Sequence, residues 1–403
     1  MTASLPLLGD APRPSKAIAH PLAAKGFRPF FLLAGLFAFA ILPIWMLALA
    51  GILNPSGYLD PIYWHAHEMV FGFAVAVIAG FLLTAVGNWT QRETAVGFPL
   101  LALASLWHLG RVAITCAGSL PKWMPAVTDL AFLPVLIGVL SRPLIAAKNK
   151  RNFVMLGVLF ALFLANLLVH LDGLGVLPGG RRRGCLVGVD IVVLVTLIIA
   201  GRVFPMFTRN ATGIETIRSI PSLDRLAVGG MAAVTLLDAF APDQPTTAIA
   251  AGITGICVIA RAAHWGSRHT LRTPLLWILH VGYAWIPLGL LLRAMAPLGL
   301  VVPGAAAAHA LTVGAIGALT LGMMSRVTLG HTGRGLVAPR LAIASFVLIT
   351  LAALVRVIVP LLSSGWYRPS LFVSGAAWSG AFALYVVGYA PMLLAARPDG
   401  KTG

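Results

Sequence analysis

Trp64-His65-Ala66-His67-Glu68-Met69-Val70-Phe71-Gly72-Phe73 decides how this chain is read. Two histidines and a carboxylate stand at the mouth of an apolar run that continues to about Val86. As a helix, such a run crosses about 30 Å of hydrocarbon. Ionisable residues at its edge are costly there, and that cost marks a candidate functional site. On a helix, side chains two positions apart project about 200° apart, so His65 and His67 would serve two cofactors on opposite sides. If Asp60-Pro61 instead leaves His65 in the helix cap, both imidazoles can reach one metal. The plain alternative is a pair of interfacial histidines bonded to water and carbonyls.

Working outward, the 403 residues are 59% hydrophobic and only 10% charged, with a mean hydropathy of +0.92. Soluble domains carry about 25% charged residues. The expected fold is therefore an all-α polytopic membrane protein of about twelve transmembrane helices, near 27–53, 65–87, 98–118, 124–147, 153–171, 185–206, 225–241, 245–264, 274–296, 305–329, 340–362 and 369–396. Short alternating β-barrel segments are absent from this pattern. Connections are short, which divides the chain into a tail (1–26), one transmembrane domain (27–396) and a second tail (397–403). The first 26 residues lack an apolar core for a cleavable signal, so the first span is expected to be retained. With the N-terminus inside, inner segments hold 21 of the 29 Lys and Arg and outer loops 6. That bias predicts that both termini are cytoplasmic. The net charge of +17 sits in these connections and gives no reason to expect nucleic acid. Cys116, Cys185 and Cys257 are scattered and form no CxxC or CxxCH, which argues against a disulfide framework, a zinc ribbon or covalent haem.

Depth sorts the histidines. His65, His67, His170 and His309 fall at the outer ends of spans two, five and ten, where they could converge. His280 and His331 fall toward the inner side, and His108 is mid-span. Thr90, Thr208 and Thr332 recur four spans apart, each in a basic helix end, suggesting three four-helix repeats. Span ten places Ala310, Gly314, Gly317 and Ala318 on one face beside His309. Such a small face packs a neighbouring helix or receives the flat macrocycle of an axially ligated haem. Ser325 to Arg334 is either a positive-inside anchor or, through Arg326, a partner for haem propionates.

Single residues add to this. Glu68 lies three residues from His65 on the same face. It is the candidate catalytic carboxylate, orienting that histidine or carrying protons. Arg111 must find a partner within the membrane, and Glu68 is the one expected. Asn166 and His170 share a face of span five, so Asn166 could orient a ligating histidine. Asp190 in span six also needs a partner.

WHAHEMVFGF, AGFLLTAVGNW, GRVFPMFTRN, LHVGYAW and HALTVGAIGALTLGMMSRVTLGHTGR together resemble the NnrS family across spans two to ten. The resemblance implies a bacterial inner-membrane protein of denitrification and nitric-oxide stress that contains haem and copper. It carries over to His65, His67, His280, His309 and His331, with His170 beside them, as cofactor or metal ligands, without saying which binds what. The expected function is nitric-oxide metabolism or nitrosative-stress protection, with non-covalent b-type haem and copper reducing nitric oxide from an unknown electron donor. The architecture resembles haem-copper oxidases, although span six offers Cys185 and Asp190 where a histidine would be needed. The rival is a non-enzymatic transporter or haem- and metal-handling protein.

Overall fold

In the computed structural model, residues 20–53, 57–296 and 304–401 are described. The expected tails therefore lie partly outside them, at residues 1–19 and 402–403. Twelve long helices account for the described chain: α1 (Phe27–Leu49), α2 (Pro61–Thr90), α3 (Phe98–Thr115), α4 (Trp123–Ala146), α5 (Lys150–Gly173), α6 (Gly180–Thr212), α7 (Pro221–Phe240), α8 (Pro245–Ala262), α9 (Pro274–Met295), α10 (Gly304–His331), α11 (Arg340–Leu362) and α12 (Tyr367–Leu394). No strand occurs among the described residues. Eleven of the twelve are long and apolar enough to cross a membrane. The number of long helices agrees with the twelve or so expected, and the exception is α7. Helix α7 carries Asp224, Arg225 and Asp238 within its length, and these charges take it out of the apolar class.

Proline and its neighbours set several starts. Asp60 caps α2 by accepting hydrogen bonds from the Ile62 and Tyr63 amides at 3.1 and 3.2 Å, and Pro61 occupies the first turn, where its missing N–H costs nothing. The helix therefore begins four residues before the expected boundary and includes both His65 and His67. Helices α7, α8 and α9 also open on a proline. Helix α2 is the most enclosed of the spans, and α1 packs against α12, so the two ends of the chain meet and close the bundle.

Two helices depart from α geometry. Residues Glu68–Ala74 of α2 and Ala310–Gly317 of α10 are π-helical, and the segments begin directly after His67 and His309. Such wide turns are rare and recur at functional sites. The interval from His67 to Thr90 equals that from His309 to Thr332, and Cys185 stands at the same interval before Thr208. The register suggested by the threonines thus extends to the other end of the helices, where it aligns His67, Cys185 and His309.

Candidate cofactor and metal sites

The start of α2 divides the functional side chains between two places. Because His65 and His67 are both helical, they point to opposite sides. His65 lines a cavity of about 540 Å³, and so does His309 from α10. His67 instead turns toward α4 and α5, into a separate buried polar cluster. The four histidines expected at one depth are therefore split into two pairs, His65 with His309 and His67 with His170.

The cluster around His67 is buried and densely bonded. His67, Glu68, Arg111, Asp129, Asn166 and His170 are all buried. Arg111 donates to Glu68 Oε1 at 2.6 Å and pairs through its other terminal nitrogen with Asp129 Oδ1. It reaches them by lying across Gly72, where a Cβ would stand 3.1 Å from its Nη1. Asp129 Oδ2 accepts from Asn166 Nδ2 at 2.7 Å and from His170 Nε2 at 2.9 Å. Tyr58 donates to the His170 carbonyl at 3.2 Å. Burial pushes the Tyr58 phenol up to about 12, with Arg181 opposing and Asp172 adding to the shift, so it remains a donor at ordinary pH.

His67 itself is placed between acceptors. Its Nδ1 stands 2.9 Å from Glu68 Oε1, so Nδ1–H donates to the carboxylate. Its Nε2 faces Asn166 Oδ1 at 2.9 Å and Asp129 Oδ2 at 3.3 Å. Turning the Asn166 amide over would set its oxygen against Asp129. Nε2 therefore meets only oxygen lone pairs, which are matched by a second ring proton or by a cation between them. The charge count agrees. Glu68 and Asp129 against Arg111 leave one negative charge if both imidazoles are neutral. The ligand atoms of His67, Asp129 and His170 lie within 4.8 Å of one another and could hold a metal ion. Glu68 serves His67, which corrects its expected pairing with His65, and Asn166 bonds the His67 ring directly while reaching His170 only through Asp129.

The cavity is built differently. The His65 ring stacks on Trp45 of α1 at 4.1 Å between centroids, and Trp45 Nε1 donates to the Pro61 carbonyl at 2.9 Å. That pair fixes the plane of the imidazole. Among the described residues His65 Nδ1 has no hydrogen-bond partner. His309 Nδ1 donates to the Ala305 carbonyl at 2.6 Å, which leaves Nε2 as the ring's lone-pair nitrogen. Arg356 also lines the cavity. One of its terminal nitrogens donates to the Tyr367 hydroxyl at 3.1 Å, and the other has no partner among the described residues. The small face of α10 is not the cavity wall. A Cβ on Gly314 would collide with Trp285, and one on Gly317 with Trp378. These glycines admit tryptophans, and the neighbouring face of Thr312, Val313 and Ile316 faces the cavity instead.

The other expected residues lie apart. His280 bonds Thr208 Oγ1 at 3.0 Å and Ser267 Oγ at 2.8 Å, at the opposite end of the bundle. His331 borders a smaller cavity of about 230 Å³ there. Arg326 lies over the Phe207 ring at 4.0 Å. His108 is exposed on α3. Asp129, the carboxylate at the centre of the metal-competent cluster, is missing from the residues that the sequence singles out. A lone carboxylate in the apolar run 124–147 is the signal that would have found it.

A family model described as NnrS protein matches residues 21–397, nearly the whole chain. No curated protein matches.

Proposed function

The chain belongs to the NnrS family, and from that premise we propose that it holds haem in the cavity between His65 and His309 and copper between His67, Asp129 and His170. The family membership makes it an NnrS-like membrane protein of the nitric-oxide response. The observation that carries the finer reading is the division of four histidines into two separate sites by the first turns of α2.

The residues fit both groups. A cavity of about 540 Å³ is within the usual range of about 300–1,000 Å³ for ligand pockets. It presents two imidazoles with ring nitrogens unengaged by the protein and an arginine, Arg356, with an unpaired terminal nitrogen for an anionic substituent. The cluster offers two imidazoles and a carboxylate, a donor set that suits copper and its neighbours in the transition series. It also carries the one negative charge that a cuprous ion would neutralise. Bound there, haem and copper supply a site for nitric oxide and one-electron chemistry.

The side chains define how each group is held. Trp45 holds the His65 plane, and the Ala305 carbonyl fixes the His309 tautomer. Glu68 accepts from His67 Nδ1 and so directs its Nε2 toward the metal position, as partners of ligating histidines do. Glu68 thus acts through His67. Asn166 and Arg111 hold the two oxygens of Asp129. A non-enzymatic reading is favoured by one observation, that the cluster is already extensively hydrogen-bonded around Asp129, as befits a site that loads and unloads metal.

Purified protein with metal analysis, a visible spectrum and a nitric-oxide electrode tests this. His309→Ala should lose or shift the Soret band and keep copper. His67→Ala and His170→Ala should lose copper and keep the band. Nitric-oxide consumption under reductant supports the enzyme, and its absence with both cofactors present supports the handling protein. A colourless, metal-free preparation, or one substitution that empties both sites, refutes the assignment.

A further inference from the structure

A second carboxylate pair, one member of which lines the cavity, lies outside the cofactor ligands. Asp190 of α6 and Asp238 of α7 are both fully buried. Arg293 of α9 donates one terminal nitrogen to Asp190 Oδ1 at 3.3 Å and the other to Asp238 Oδ2. Both carboxylates therefore flank one edge of a single guanidinium. Each has one oxygen left over. Among the described residues Asp190 Oδ2 and Asp238 Oδ1 have no hydrogen-bond partner. Asp190 and Arg293 also line the cavity that contains His65 and His309.

The charge count fixes what is missing. Two ionised carboxylates against one arginine leave a net negative charge inside a bundle of apolar helices, and an uncompensated buried charge costs several kcal/mol (about 3–5). Among the described residues, Arg293 is the cation paired with these carboxylates, and no other ion pair reaches them. Arg182, a little more than two turns earlier on α6, is paired with Asp243 at 2.7 Å. Arg356 faces the same cavity from α11 and His309 from α10. A proton is the smallest group that removes the charge, and like charges held this close keep one proton between them. A protonated carboxyl also supplies a donor for an otherwise unmet oxygen.

We propose that Asp190 and Asp238 hold one exchangeable proton between them, and that Asp190, which lines the cavity, can give that proton to, or take one from, whatever occupies it. No bond other than O–H changes, and the proton leaves one carboxyl oxygen as the pair becomes doubly ionised. The inference goes beyond the cofactor assignment and stands on Asp190, Asp238 and Arg293 alone.

Infrared difference spectra of the purified full-length protein, taken against pH in light and heavy water, read the protonated carboxyl directly. The native protein should show one deuterium-sensitive carboxylic C=O band from this pair. Asp190→Asn and Asp238→Asn should each abolish it, because the remaining carboxylate is then neutralised by Arg293. Arg293→Met should double it, because both carboxyls must then be neutral. The result that overturns the proposal is a band that survives either asparagine substitution, or no band at all. Stabilisation by sodium in place of the band would make the pair a metal-cation site and overturn it as well.

Discussion

Arg111→Met removes the only arginine of the His67 cluster while keeping most of its stem on Gly72. The expected loss is set by the contacts. The guanidinium pairs with Glu68 at 2.6 Å and with Asp129, and all three side chains are buried. Exposed ion pairs are worth about 0–1 kcal/mol, but removing one partner of a buried pair costs about 3–5 kcal/mol, because the other charge is left uncompensated. Two carboxylates lose their partner here, which places the substitution at the upper end, about 5 kcal/mol. The triple variant Glu68→Gln, Arg111→Met, Asp129→Asn removes all three charges at nearly constant volume. Replacing a whole buried ion cluster by neutral groups is often close to neutral, so the triple variant should recover most of the loss. Contacting residues couple, so the difference between single and triple variants measures the electrostatic share.

Equilibrium unfolding in mixed micelles by titration with a denaturing detergent, in chelator and without metal, gives the comparison. A triple variant as unstable as Arg111→Met would show that packing against Gly72, and not charge pairing, sets the role of Arg111. That result would also remove the charge argument for a cation in this cluster.

Other outcomes rest on single positions. Gly317→Ala, whose Cβ would meet the Trp378 ring, should cost about 1–3 kcal/mol as overpacking in the same unfolding assay, whereas Gly138→Ala, with nothing within 4 Å, should cost nothing. The Tyr58 phenol titrates near 10.0 when exposed and near 12 in the fold. The unfolded chain therefore loses that proton first, and stability falls as pH rises through this window. Tyr58→Phe should flatten the alkaline part of the melting-temperature profile, and an unchanged slope would place Tyr58 in water. Reporter fusions after Arg218 and after Lys401 should read cytoplasmic and one near Gly57 periplasmic, in line with the charge asymmetry; a periplasmic C-terminus would reverse the orientation.

Much of the fold is legible in the sequence because a hydrocarbon solvent imposes one demand on every segment, an unbroken apolar helix. The demand fails where the bundle supplies the partners. Asp238 and Arg293 bond each other across α7 and α9, so α7 is a packed helix whose charges exclude it from the apolar class. Arg293 lies near the end of a span, where a basic residue looks like an interfacial anchor until its buried carboxylate partners are seen. The small face of α10 misleads in the opposite direction. Glycines permit close approach, but their spacing does not say whether a macrocycle or Trp285 and Trp378 make it.

The site is legible as far as direction and no further. Spacing on α2 requires His65 and His67 to diverge, and the Asp60-Pro61 cap decides that both are helical. Which neighbour each meets depends on the π-helical turns directly after His67 and His309. A π turn adds a residue to the helical circuit and rotates the helix before it relative to the helix after it. It leaves no mark in hydrophobic periodicity over so short a stretch. Repeat register has the same limit. His67, Cys185 and His309 hold equivalent places before the three threonines, yet Cys185 and His309 line the cavity while His67 turns away to Asp129 and Asn166. Equivalent positions in the three helices therefore do not keep equivalent faces. The departure falls on α2, whose next residue, Glu68, takes the His67 ring and is itself held by Arg111 from α3. An ion pair between neighbouring helices, beyond the reach of any repeat, thus holds His67 apart from the cavity that Cys185 and His309 line.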